Sequence, residues 1–184
     1  MIRPGIKDVP NLLSALRLLA APFAAYLIYV GHDTAALSVF AAAGASDALD
    51  GFVARRWGVT SRFGAWLDPA ADKLLMLLCF GALFLIGTVP LWLLALVVGR
   101  DLAIAIGWLA ITLFGLSIEI KTLLIGKAST VVHVLYILTV LLLLAFDWHA
   151  PRLVEAANWI CGLFTLLSGA AYAGVFLRRL MRPA

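Results

Sequence analysis

The chain has 184 residues, of which 64% are hydrophobic and 13% charged, and its mean hydropathy is +1.06. Soluble domains are roughly 45–50% apolar, so this composition excludes a soluble globular domain and marks an integral membrane protein. The net charge of +4 does not mark a nucleic-acid binder, because the basic residues are scattered at the ends of apolar runs and not gathered with aromatics on one surface.

Apolar runs of about 20 residues, each long enough to cross a hydrocarbon core of roughly 30 Å, recur along the whole chain. They predict an all-α fold of six transmembrane helices over 11–30, 35–55, 67–87, 89–114, 128–146 and 154–177, forming one domain over 1–184. The first run, after Pro10, lacks an Ala-x-Ala site followed by a polar mature region and so reads as a retained helix. His32-Asp33, the Arg-rich 55–62 stretch, Gly87 to Pro90, Ser117 to Lys127 and Asp147 to Arg152 mark the connections, with Pro and Gly as the expected punctuation.

Positive residues set the orientation. Arg3 and Lys7 precede the first span, Arg55, Arg56 and Arg62 follow the second, Lys121 and Lys127 follow the fourth, and Arg178, Arg179 and Arg182 close the chain, against Arg152 alone on the other side. By the positive-inside rule both termini are expected in the cytoplasm. Cys79 and Cys161 fall inside apolar runs and read as small buried thiols. His133 reads as a hydrogen-bonded interhelical histidine, and the tryptophans, mostly near span ends, as an interfacial belt.

Against this apolar background the stretch SDALDGFVARRWGVTSRFGAWLDPAADK, residues 46–73, carries four aspartates. Asp47 and Asp50 are three apart on one span, and Asp68 and Asp72 are four apart at the start of the next, so each pair shares a helix face. With the intervening turn opposing those faces, four carboxylates converge near the cytoplasmic end of the bundle. Like charges that close in a low dielectric do not all stay ionised without a cation among them, and an all-oxygen donor set selects a hard divalent ion. Two ions bridged by carboxylates suit phosphoryl chemistry. Gly51, Ala54 and Gly64 leave room for a ligand against backbone, and Arg55 can hold a phosphate bidentately. Carboxylates alone would also fit the ion pathway of a cation-coupled transporter; the glycines and the arginine favour a metal and phosphate site.

The spacing Asp47-x-x-Asp50-Gly51-x-x-Ala54-Arg55, eight residues, Gly64, three residues, Asp68, three residues, Asp72 resembles the full signature of the CDP-alcohol phosphotransferases. The six-span layout resembles that family over nearly the whole chain. The resemblance implies transfer of a phosphatidyl group from CDP-diacylglycerol to an alcohol with release of CMP, dependent on Mg²⁺ or Mn²⁺, with two ions expected. It implies Asp47, Asp50 and Asp68 as metal ligands, and Asp72 both beside the metals and as general base. A CDP or CMP site of Asn11, Arg17, Asp47, Gly51, Ala54, Arg55, Ser61 and Gly64 is implied in the same way, as is a homodimer.

For the acceptor, the fourth span reads VVGRDLAIAIGWLAITLFG. Its Arg100-Asp101, with no second arginine, resembles cardiolipin synthases more than phosphatidylglycerophosphate synthases, whereas Gly126-Lys127-Ala128-Ser129-Thr130 is closer to the latter. Arg100, Lys121 and Lys127 are the expected acceptor-binding residues, adequate for monoanionic phosphatidylglycerol. The expectation is thus cardiolipin formation in a bacterial inner membrane, with glycerol 3-phosphate as the alternative acceptor.

Overall fold

A computed structural model describes the backbone of residues 9–57, 64–113 and 123–180, and side chains within 15–46, 70–110, 113 and 123–178. Among the described residues there are six helices and no strands: α1 (Val9–Tyr29), α2 (Asp33–Trp57), α3 (Gly64–Leu85), α4 (Leu91–Leu113), α5 (Leu124–Ala145) and α6 (Pro151–Leu180). They coincide with the expected runs to within a few residues at each end. Three of them, over Leu91–Ala110, Leu124–Ala145 and Pro151–Arg178, are long and apolar enough to cross a membrane, and Ala15–Tyr29 is a shorter apolar helix. Leu102, Ile106, Leu109 and Leu113 stand exposed along α4, which suits a surface solvated by lipid.

Helix starts follow local chemistry. Pro151 opens α6 at the first helical position, where a missing N–H costs nothing. The carbonyl of Pro90, just before α4, accepts from the amides of Leu93 and Leu94 at 3.1 and 3.2 Å. Asp33 puts a carboxylate on the first turn of α2, where the helix dipole favours it.

The ends of α1, α3 and α5 share one motif. Gly31, Gly87 and Asp147 adopt positive φ of 78°, 81° and 53°. After each, the next amide reaches back five residues: His32 to Leu27 at 2.9 Å, Thr88 to Leu83 at 2.9 Å and Trp148 to Leu143 at 2.8 Å. These are Schellman caps, for which glycine is the unstrained residue.

The described chain forms two compact units, Met1–Thr88 with Ile137–His149, and Val89–Tyr136 with Ala150–Ala184. In the first, α1 packs on α2 and α3, and Ala21, Ala24, Ile28, Ala71, Cys79, Phe80 and Leu83 have no exposed surface. In the second, α4 packs on α6. Gly162 of α6 lies under the Trp92 ring, so that a Cβ there would come within 2.6 Å of Cζ3, and Trp92 stacks on Trp159 at 5.1 Å between centroids. Cys79 and Cys161 are buried thiols, as expected.

Candidate active site

The aspartate signature falls wholly within the first unit. Asp47, Asp50, Gly51, Ala54 and Arg55 lie on the last three turns of α2, and Gly64 and Asp68 on the first two turns of α3. Asn11 lies in the first turn of α1. Their side chains are outside the described ones, and Ser61 and Lys121 lie outside the described residues altogether. Both helical segments required by the spacing argument are present, with the 58–63 connection between them.

Asp72 and Arg17 are described in full. Arg17 Nη1 donates to Asp72 Oδ1 at 2.9 Å, linking α1 to the third turn of α3. The two ends differ sharply: the arginine side chain is 1% exposed and the carboxylate 42%. An ionised guanidinium buried so deeply requires a carboxylate partner, and Asp72 supplies one while keeping part of its own surface accessible. Among the described residues no three His, Cys, Asp or Glu side chains stand together as a metal cluster. The donor chemistry fits a hard cation, because every signature ligand candidate is a carboxylate and the one described, Asp72, retains accessible surface.

The second unit holds a separate polar cluster around Arg100 on α4. Its Nη1 donates to Asp101 Oδ1 at 2.6 Å, and its Nε and Nη2 both donate to Ser168 Oγ, at 3.1 and 2.9 Å. Nη2 also reaches the Gly126 carbonyl at 3.4 Å, and the guanidinium carbon lies 5.9 Å from the Tyr172 ring centroid, within cation–π range. The arginine side chain is 9% exposed and that of Asp101 31%. Gly126 is required by close approach: a Cβ there would meet Tyr172 Oη at 2.7 Å and Cε2 at 2.9 Å. Lys127 is exposed on the first turn of α5.

This cluster begins a polar seam between antiparallel α5 and α6. His133 Nε2 and Thr165 Oγ1 are 2.8 Å apart, while Thr165 donates its proton to the Cys161 carbonyl at 2.7 Å. Nε2 of His133 is therefore the donor in the pair, the interhelical role expected of this residue. Tyr136 donates to Asn158 Oδ1 at 2.6 Å. Ser129, on the same face of α5, is fully buried, and its hydroxyl has no hydrogen-bond partner among the described residues.

Ser168 and Tyr172 escaped the sequence reading. Their signal was present: Thr165, Ser168 and Tyr172 are polar residues spaced three and four apart along an otherwise apolar span, which puts them on one helix face.

Comparison with known proteins decides what this signature belongs to. A family model described as CDP-alcohol phosphatidyltransferase matches residues 7–168. The chain belongs to the CDP-alcohol phosphatidyltransferase family. A Drosophila melanogaster protein named a probable cardiolipin synthase (CMP-forming) is 43% identical over 100 residues, 54% of this chain and 31% of the fly protein. A Schizosaccharomyces pombe cardiolipin synthase and mitochondrial hydrolase fusion protein is 33% identical over 186 residues, covering 93% of this chain. This phosphatidyltransferase-family chain thus spans 31% of the length of both relatives. Among bacterial relatives, a probable phosphatidylglycerophosphate synthase of Mycobacterium tuberculosis is 34% identical over 182 residues, 96% of this chain and 85% of its own length. A CDP-diacylglycerol–glycerol-3-phosphate 3-phosphatidyltransferase of Pectobacterium atrosepticum is 31% identical over 193 residues, covering 96% of this chain and 98% of its own. The relatives carry two kinds of name, cardiolipin synthase in the one set and phosphatidylglycerophosphate synthase or glycerol-3-phosphate 3-phosphatidyltransferase in the other.

Proposed function

We propose that the protein transfers the phosphatidyl group of CDP-diacylglycerol to the free hydroxyl of phosphatidylglycerol, giving cardiolipin and CMP. The observation that carries the transferase reading is the complete aspartate signature, 47 to 72, inside the matched residues 7–168. The cation-coupled transporter weighed from the carboxylates alone gives way to this family assignment.

In the reaction the acceptor oxygen forms a bond to the phosphorus bearing the diacylglycerol, the phosphoanhydride bond breaks, and CMP leaves with the displaced oxygen. Asp47, Asp50 and Asp68, with Asp72 beside them, would hold two divalent cations, Mg²⁺ or Mn²⁺, which when bound neutralise the diphosphate and the charge that develops on it. Asp72 accepts the proton of the attacking hydroxyl. Arg55 grips a phosphate of the donor, Asn11 and Ser61 flank the nucleotide, and Gly51, Ala54 and Gly64 let it lie close to backbone. Arg17 belongs to this site through its contact with Asp72.

The choice of phosphatidylglycerol rests on Arg100, with Lys121 and Lys127 as further acceptor contacts. The Arg100 guanidinium is already matched by Asp101 at 2.6 Å, so little uncompensated positive charge remains for a dianionic acceptor, whereas a phosphodiester monoanion asks for less. The second reading, glycerol 3-phosphate as acceptor, is favoured by the Gly126-Lys127 segment and by the bacterial relatives matched over 85% and 98% of their lengths. CMP release with each acceptor, followed by product identification, separates the two. The reading also includes six membrane spans with both termini cytoplasmic, a single domain over 1–184, a homodimer, and residence in a bacterial inner membrane.

A further inference from the structure

We propose that Arg17 is a positioning residue for Asp72, acting on the reaction from behind the carboxylate and not by gripping the donor. The inference rests on the transferase reading above. A side chain that binds a donor phosphate must present its N–H groups to the ligand, and the Arg17 side chain is only 1% exposed. Of the two paired side chains, Asp72, 42% exposed, is the accessible one. One carboxylate oxygen, Oδ1, takes the Nη1 hydrogen bond at 2.9 Å, which restricts rotation of a group that would otherwise turn freely about its last torsion. The two helices that carry the pair pack on each other, and Ala21 and Ala24 of α1 and Ala71 and Leu75 of α3, at most 3% exposed, belong to their buried core. A guanidinium has a rigid planar fork and a lysine ammonium does not, so the orientation is specific to arginine.

The consequence is a separation of kinetic effects. A residue that orients the proton acceptor affects the transition state and leaves the ground-state hold on the donor intact. The test uses the full chain in detergent, as Arg17→Gln, Arg17→Lys, Asp72→Asn and the Arg17→Gln/Asp72→Asn double variant. Each is measured for turnover with CDP-diacylglycerol and phosphatidylglycerol or glycerol 3-phosphate, for metal-dependent CMP binding and for melting temperature. Arg17→Gln is expected to lower kcat by about 100-fold, the scale of a misplaced reacting group, with donor KM and CMP affinity within about threefold of the parent. Arg17→Lys restores part of kcat, and the double variant turns over no more slowly than Asp72→Asn alone. If Arg17→Gln fails to yield folded protein, Arg17→Lys carries the same test, with a kcat loss at constant donor KM expected. A rise in donor KM or a loss of CMP affinity at unchanged kcat would overturn the proposal in favour of direct donor binding. Multiplying losses in the double variant would overturn it too, by showing that Arg17 acts independently of Asp72. Failure of the parent chain to release CMP with either acceptor would overturn the transferase reading itself, a result distinct from any pattern among the variants.

Discussion

Ser168 accepts two hydrogen bonds from Arg100, from Nε at 3.1 Å and from Nη2 at 2.9 Å, and so fixes the plane of the guanidinium within the second unit. Asp101 and Tyr172 hold the same group from other directions, which leaves the arginine 9% exposed yet matched in charge.

Removing that arginine leaves Asp101 and Ser168 without their shared donor. Arg100→Met should destabilise the protein by about 2 kcal/mol, less than for a fully buried pair because Asp101 keeps contact with solvent. Arg100→Met/Asp101→Leu should recover much of the loss. Thermal unfolding of the three proteins in one detergent checks this; equal stability of the single variant and the parent would show that the pair contributes nothing.

Gly126→Ala drives a methyl group into the Tyr172 ring, since its Cβ would lie 2.7 Å from Oη and 2.9 Å from Cε2. A cost of about 1–2 kcal/mol is expected from overpacking, together with a raised KM for the acceptor as Tyr172 is pushed from Arg100. Stability and acceptor kinetics measured side by side test both halves.

Ser129→Ala should be neutral or stabilising by up to about 1 kcal/mol. The hydroxyl is buried without a hydrogen-bond partner among the described residues, and deleting such a group removes its desolvation cost while losing no bond. A clear drop in melting temperature would reveal a partner for Ser129.

Asp147→Gly should raise stability by about 0.5–1 kcal/mol. Asp147 caps α5 at φ 53°, where the corresponding caps of α1 and α3 use glycine, and an L side chain is disfavoured in that region. The shift would be read as a higher melting temperature with unchanged activity.

Chelation with EDTA should abolish turnover, and readdition of Mg²⁺ or Mn²⁺ should restore it. Asp50→Ala should lose metal-dependent CMP binding, whereas Asp72→Asn should keep it and lose turnover, because only Asp72 is assigned the proton. Titrations of CMP with and without metal distinguish the two variants.

Much of this was legible in the sequence, and for identifiable reasons. The six helices followed from apolar run length, and Gly87 marked a helix end because few other residues take positive φ without strain. The aspartate signature was readable because its ligands lie close together in the chain. What joins distant segments was not. Arg17 reads as a nucleotide-side residue from its place in the opening of the first span, and its contact with Asp72, 55 positions away, depends on how α1 packs against α3. Ser168 and Tyr172 sit in an apolar span with no charged neighbour to draw notice, and their role appears only once Arg100 of α4 meets α6. Asp147 caps α5 without the glycine that would have announced it.

The measurement that tests the central claim most directly is a product assay on the purified chain, supplied with CDP-diacylglycerol and Mg²⁺ or Mn²⁺, and offered phosphatidylglycerol or glycerol 3-phosphate in separate reactions. Cardiolipin and CMP in the first reaction are the predicted result. Phosphatidylglycerophosphate in the second, with no cardiolipin in the first, would contradict the acceptor assignment, and release of CMP in neither would contradict the account as a whole.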